Sequence, residues 1–224
     1  MRFPFNLRNN FILKSLFQNE CEKFFKFLKK FISSNVKSNC RMKSTENERK
    51  KNNSVLHIQN GVEKADIWFP KLQQELKWQE IMWGPTNRKL PRLCCPDIHM
   101  TSIGQEIIVW LKNFFLANFN TNIEIFGIWG NHYRNGNDYL PLHRDQYGDL
   151  DVISLSFGAK RKFDFVPSKT GEKKITYYLE HGDIIGFGNE MHKEYKHGIS
   201  KQTSVKTARI NLTVFVRYIG KKPY

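Results

Sequence analysis

The sequence predicts an α+β chain whose second half is a two-sheet barrel or jelly roll. Two observations carry this. Ile103, Ile107, Trp110, Leu111 and Phe114 recur at helical spacing, with Ser102 and Gln105 placed as a capping box at the helix start. After Phe119 short β-rich runs follow one another at 123–129, 152–158, 162–166, 174–179, 183–188 and 209–219, with Gly, Asn, Asp or Pro in the gaps. At 224 residues, with 40% hydrophobic and 14% aromatic side chains, the chain can bury the core that such a domain needs.

Residues 1–54 read as a basic N-terminal extension. They hold 13 of the 36 Lys and Arg but 4 of the 21 Asp and Glu, a net of +9 against +6 for the remainder. Cys21 to Ile32 has the pattern of a short basic amphipathic helix, and the first 19 residues carry Arg2, Arg8 and Lys14 with no acid. A targeting or nucleic-acid-binding arm and a poorly ordered tail are the two readings, and 43–54 looks like a linker. The formal charge of +15 suits a polyanionic partner, although plain soluble proteins carry such charge too. No apolar run nears the ~18 residues that cross a bilayer, so a soluble chain with no membrane partner is expected. Cys21, Cys40, Cys94 and Cys95 form neither a C-x-x-C pair nor a secreted framework, which favours a reducing compartment.

The segment 61–78 reads as a helix or two short turns interrupted at Pro70, and 82–92, with Gly84, Pro85 and Pro91, as a loop or hairpin. Residues 55–120 would then form a lid with its supporting helices, and 121–224 the β domain.

The chemistry centres on His143 and Asp145. Two apart on an extended segment, they point to one face and can reach one ion. His197 follows a strand and a polar loop and supplies a second imidazole; His192 competes for that role, and His181 reads as structural. Two imidazoles and a carboxylate make the facial triad of non-haem Fe(II) oxygenases, with three positions left open. Alone, an H-x-D pair is as readily two surface residues. Support comes from the last strand, where Arg209, Asn211 and Thr213 share one face and Ile210 and Leu212 the other. A guanidinium inside a barrel needs an anionic partner, either a dicarboxylate held by a bidentate pair or a nearby acid such as Asp183. Asn131 and Tyr133 share a face on the way to the H-x-D pair and can add hydrogen bonds.

These residues occur in the order N-x-Y-x-x-G-x-D-x-x-x-x-H-x-D (Asn131 to Asp145), SFGAKRKF (156–163), HGD (181–183), KHGI (196–199) and R-x-N-L-T (209–213). The joint pattern resembles the AlkB family of Fe(II)/2-oxoglutarate nucleic-acid dealkylases, most closely its DNA-repair homologues, over about residues 62–219. The resemblance implies a double-stranded β-helix (jelly roll) core behind an N-terminal helical and hairpin substrate-recognition lid. It implies His143, Asp145 and His197 as ligands of Fe(2+), and Asn131, Tyr133, Arg209, Asn211 and Thr213 as contacts to 2-oxoglutarate. It also implies O2-dependent hydroxylation of an N-alkyl carbon, with formaldehyde leaving the repaired base. Two positions depart from the family pattern. Its second arginine falls on Phe215, leaving Arg217 as the substitute if the strand shifts locally. The residue after the iron-binding aspartate, commonly acidic, is Gln146.

Reaching a damaged base in a duplex requires flipping it out, and Trp83 is the expected wedge on the hairpin, with a core tryptophan as the alternative. Arg88, Lys89 and Arg92 would lie near phosphates and Arg161 at the pocket mouth; each could equally be surface charge. The expected partner is therefore alkylated DNA, with RNA second, acted on by a monomer in the nucleus or, through the basic N-terminus, the mitochondrion. An Fe(II)/2-oxoglutarate hydroxylase of a protein or small molecule is the alternative enzyme. A nucleic-acid-binding protein with a degenerate iron site is the non-enzymatic one.

Overall fold

The computed structural model of the protein describes residues 54–83, 88–145, 149–169 and 173–224, so nearly all of the basic extension and Gln146 lie outside the described residues. In chain order the elements are β1 (Val55–Ile58), α1 (Ala65–Glu75), β2 (Gln79–Trp83), β3 (Arg88–Cys95), a 3-10 turn (Ile98–Met100), α2 (Ser102–Phe119), β4 (Asn122–Tyr133), β5 (Leu140–His143), β6 (Asp151–Gly158), β7 (Arg161–Pro167), β8 (Ile175–Leu179), β9 (Ile184–Phe187), α3 (Asn189–Glu194), β10 (Tyr195–Ile199) and β11 (Arg209–Ile219).

The strands pair antiparallel in two sheets. A seven-stranded sheet runs β1-β9-β6-β11-β4-β3-β2, and a four-stranded sheet runs β5-β10-β7-β8. The larger sheet is covered on both faces, and its sequences show why. On β11, Ile210, Leu212, Val214 and Val216 turn toward the helices and join Trp68 and Leu72 of α1 and Ile107, Leu111 and Phe115 of α2 in one apolar cluster. Val152 and Phe187 on the opposite face join Phe163, Phe165 and Ile199 of the smaller sheet in a second cluster. Each such side chain, fully buried, contributes roughly 1.5–3 kcal/mol of transfer free energy. The long apolar strands therefore hold the layers together, and the space between the sheets is left for the site.

Two local expectations are corrected. Pro70 does not interrupt α1, which runs unbroken through it. The proline sits on the exposed face, and so does Asp66, whose carbonyl forgoes its helical hydrogen bond. The cap of α2 is Thr101, one residue ahead of the expected Ser102: its hydroxyl accepts from the Gly104 amide at 3.1 Å, and Gln105 donates to the His99 carbonyl instead of closing a capping box. Within 82–92, β2 and β3 pair antiparallel, with Met82 opposite Lys89 and Trp83 opposite Arg88, and β3 pairs in turn with β4.

Asp183 fastens β1 to the turn before β9. Its carboxylate accepts from the Asn60 amide and the Glu180 amide, both at 2.9 Å, and faces His57 Nε2 at 3.2 Å. Burial pushes the carboxyl up, but these partners outweigh it and hold it below its ordinary value. Its contribution is thus present above the ordinary carboxylate range and is lost as pH falls through the depressed value. Asp183→Ala, leaving two amides unpaired, should cost about 2–4 kcal/mol in urea unfolding at neutral pH. The gap to the wild type should narrow when the same unfolding is run in acid.

Candidate metal centre and its cavity

His143 closes β5 and His197 sits inside β10, and the antiparallel register sets them directly opposite each other. Their ring centroids are 4.4 Å apart. Asp145, two residues beyond His143, faces both: its carboxylate oxygens lie 3.3 Å from His143 Nε2 and 3.5 Å from His197 Nε2. One ligand atom from each residue falls within 4.8 Å of the others, so the three residues expected from the sequence do converge.

The protonation states favour a cation between them. His143 Nδ1 faces two carbonyl oxygens, Pro141 at 3.0 Å and His197 at 3.1 Å, which can only accept, so the proton resides on Nδ1. Its Nε2 faces the Asp145 carboxylate. His197 is buried beside Phe163, stacked at 5.6 Å between centroids, and Phe187. That apolar wall pushes its imidazole down to about 3, so it is neutral. Burial pushes the Asp145 carboxyl up, yet its histidine neighbours, His143 first, hold it below its ordinary value. Two imidazoles and a carboxylate converging on one point suit a divalent first-row metal and leave three positions open.

A cavity of about 370 Å³ opens over these residues. Its polar wall comes from the inward positions of β4 and β11, and the register explains it: Asn131 lies opposite Asn211, and Thr213 opposite Trp129. Asn131 Nδ2 donates to Asn211 Oδ1 at 3.1 Å, Thr213 Oγ1 donates to the same oxygen at 3.1 Å, and Asn211 Nδ2 donates to Ser154 Oγ. Arg92 reaches in from β3, nearly buried, and donates from Nε to Asn131 Oδ1 at 2.6 Å.

One row along, Arg209 lies opposite Tyr133, and neither lines the open cavity. Arg209 is fully buried and spends only Nη2 on protein, donating to Ser156 Oγ at 3.0 Å. Among the described residues, its Nε and Nη1, the Tyr133 hydroxyl and Arg92 Nη1 are buried without a partner. Burial pushes the Arg209 guanidinium down to about 10 and raises the Tyr133 phenol. Asp183, the acid considered as its partner, is committed to Asn60, Glu180 and His57, and among the described residues no carboxylate pairs with Arg209. Buried donors left open at this density fit a carboxylate ligand.

Several sequence expectations are corrected here. Arg217 does not replace the second arginine: the irregularity lies between Phe215 and Val216, where β4 carries the extra residue Phe126, so β11 does not shift. Arg217 is exposed, pairs with Glu124 at 3.2 Å and rests over the Phe126 ring. Phe215 lines the cavity in its place. Arg161 is not at a pocket mouth. It is 1% exposed, and its guanidinium is consumed by the carbonyls of Asn135, Asp138 and Ser200 and by Gln202. Trp83 ends β2, and its side chain, like that of Arg88, lies outside the described residues, as does Gln146. Sequence reasoning missed Arg144, which lines the cavity, and Ser154, which anchors Asn211. The H-x-D spacing drew attention past Arg144; the serines alternating along 152–158 were a visible sign of an inward polar face.

Residues 128–214 match the family model described as the 2OG-Fe(II) oxygenase superfamily, a span that contains the three converging residues and the polar wall of β4 and β11. No curated protein matches the chain. Among solved structures, an oxidoreductase of the 2OG-Fe(II) oxygenase family from Burkholderia pseudomallei aligns with a TM-score of 0.54 and 14% identity, over 80% of this chain and 96% of that one. The non-heme alpha ketoglutarate dependent epimerase SnoN from nogalamycin biosynthesis aligns at 0.54 and 13%, over 76% and 80%. OsALKBH1 aligns at 0.50 and 17%, over 72% and 97%. At these identities the likeness is one of fold. Fe(II), 2-oxoglutarate and O2 are the cofactors of that superfamily, and the donor sets described above suit the first two.

Two substitutions separate the buried arginine from the exposed one. Arg209→Met should weaken 2-oxoglutarate binding, measured by calorimetry with Mn(II) in place of iron, by about 10- to 100-fold, the value of one charge-assisted contact. Arg217→Ala should leave that affinity unchanged.

Proposed function

We propose that this chain, whose residues 128–214 carry a 2OG-Fe(II) oxygenase superfamily domain, oxidatively removes alkyl groups from the ring nitrogens of DNA bases, with RNA as a second substrate. The observation behind the reading is a shared cavity. Leu90 and Arg92 of the hairpin strand β3 line the same space as His143, Asp145 and His197, so a basic hairpin borders the oxidising centre. The ordered motifs from Asn131 to Thr213, which resemble the AlkB dealkylases, point to the same chemistry.

In this reading His143, Asp145 and His197 hold Fe(II). Arg209 and Tyr133 take the far carboxylate of 2-oxoglutarate, with Asn131, Asn211 and Thr213 bordering its chain. Bound together with O2, they supply an oxidant for an unactivated C–H bond. The protein's own share is orientation and dryness. Phe163 and Phe187 keep water from the His197 side, and Arg92, fixed on Asn131, holds its side chain in the cavity wall. Hydroxylation of the alkyl carbon gives a hemiaminal that releases formaldehyde and leaves the base repaired. Trp83, at the end of β2, is the residue proposed to fill the stack vacated by a flipped base.

A hydroxylase of a protein side chain or small molecule is the second reading. Trp129, Leu140, Phe163 and Phe215 give the cavity an apolar side, as a non-nucleic-acid substrate would require.

Methylated DNA and RNA oligonucleotides incubated with protein, Fe(II), ascorbate and 2-oxoglutarate should lose the mass of one CH2 by mass spectrometry, and His143→Ala should abolish the loss. Succinate formed in a substrate screen with every oligonucleotide unchanged would reject base dealkylation and leave the second reading. Trp83→Ala should impair repair of duplex far more than of single strands; equal impairment of both would remove Trp83 from the wedge role.

A further inference from the structure

His192 is unused by the function just described, yet it is buried against the metal centre. It lies on α3, 3% exposed, and neither ring nitrogen has a hydrogen-bond partner among the described residues. Its Nε2 lies 3.9 Å from Asp145 Oδ2, which is itself buried without a hydrogen bond. The ring is packed between Phe187, at 5.2 Å, and His197, at 5.7 Å between centroids. Two complementary orphans thus face each other about 1 Å beyond hydrogen-bond reach.

The backbone carrying this ring is held from the same side. Arg144, between the two β5-end ligands, donates from Nε to the His192 carbonyl at 2.6 Å, donates from Nη2 to the Lys193 carbonyl, and also reaches Ser168 Oγ. The dipeptide that follows His143 therefore grips α3 through Arg144 and faces the α3 imidazole through Asp145. Burial pushes the His192 imidazole down, with the Asp145 carboxylate opposing. The ring has an N–H to give, and the Asp145 carboxylate that it faces is a small side-chain movement away.

We propose that His192 is a positioning residue for the metal centre: its Nε2–H donates to the Asp145 carboxylate and fixes the direction in which that carboxylate meets the iron. It stands outside the converging set of His143, Asp145 and His197. Partners in this outer position set ligand orientation, and losing one costs metal affinity rather than coordination number. The inference rests on the metal-centre reading and is independent of the substrate.

The test is a Co(II) titration of the full chain followed by visible absorption, comparing His192→Gln with His192→Met. Both fill similar space and only glutamine keeps an N–H at that reach. Met should weaken Co(II) binding by about 10- to 100-fold, Gln should restore most of it, and the saturated spectra should match wild type. Equal affinity for Gln and Met would overturn the positioning role. A changed spectrum at saturation in the Met variant would also overturn it, by making His192 a ligand. One measurement needs no variant: nitrogen-15 histidine spectra of the Zn(II)-loaded protein should show a slowly exchanging His192 Nε2–H, and a bare Nε2 would overturn the role. If wild type itself takes up no Co(II), the metal centre falls and this role with it; failure confined to the Gln and Met comparison removes only His192.

Discussion

The pairing of β5 with β10 is the constraint on which the centre depends. β5 is four residues long and its Pro141 and Leu142 face outward, so its place is set by hydrogen bonds to β10, by Leu140 against the core and by the residues that flank it. Because the register puts His143 opposite His197, a slip of one residue would turn one imidazole to the other face and dissolve the triad. The structure guards against that slip twice. His143 Nδ1 is tied to the His197 carbonyl on the partner strand, and Arg144 is tied to α3, which leads directly into β10. The side chains that locate the ligands therefore also lock the register.

The larger sheet performs a second division of labour. Its long strands are covered on both faces, so their outward positions can be given wholly to packing against α1 and α2. Inward positions of β11 and β4 are then free to be polar: Arg209, Asn211 and Thr213 on one strand, Tyr133 and Asn131 on the next. A polar row can be buried there because its members bond one another, Asn131 to Asn211 and Asn211 to Ser154, while the row of Arg209 and Tyr133 is left open. Serving both roles with one strand is possible because a strand presents alternate residues to opposite layers.

Much of this was legible in the sequence, for physical reasons that also mark the failures. The six runs seen as strands are the ones whose inward or outward positions are apolar, and they became β4, β6, β7, β8, β9 and β11. The alternation on β11 named its polar face correctly because burial on the opposite face demanded Ile210 and Leu212. β5 and β10 were not visible as strands, since their key positions carry histidine and their neighbours include Pro141 and Gly198. Arg161 and Arg217 were misassigned for a different reason. Whether an arginine ends among carbonyls, beside a surface glutamate or in a cavity depends on how strands from distant parts of the chain are laid side by side, and no local spacing records that. Arg92 shows the same blindness from the other side: only the addition of β3 to β4 brings it against Asn131. The shift of the α2 cap to Thr101 is smaller, a choice between two adjacent hydroxyls that the Gly104 amide decides.

The open donors around Arg209 bear on the folding of the protein as well as its chemistry. A desolvated cation without a counter-ion is a standing penalty on the native state, and an anion that fills the site removes it while leaving the unfolded chain untouched. Any dicarboxylate seated there acts as a folding ligand whose stabilisation rises with the logarithm of its concentration.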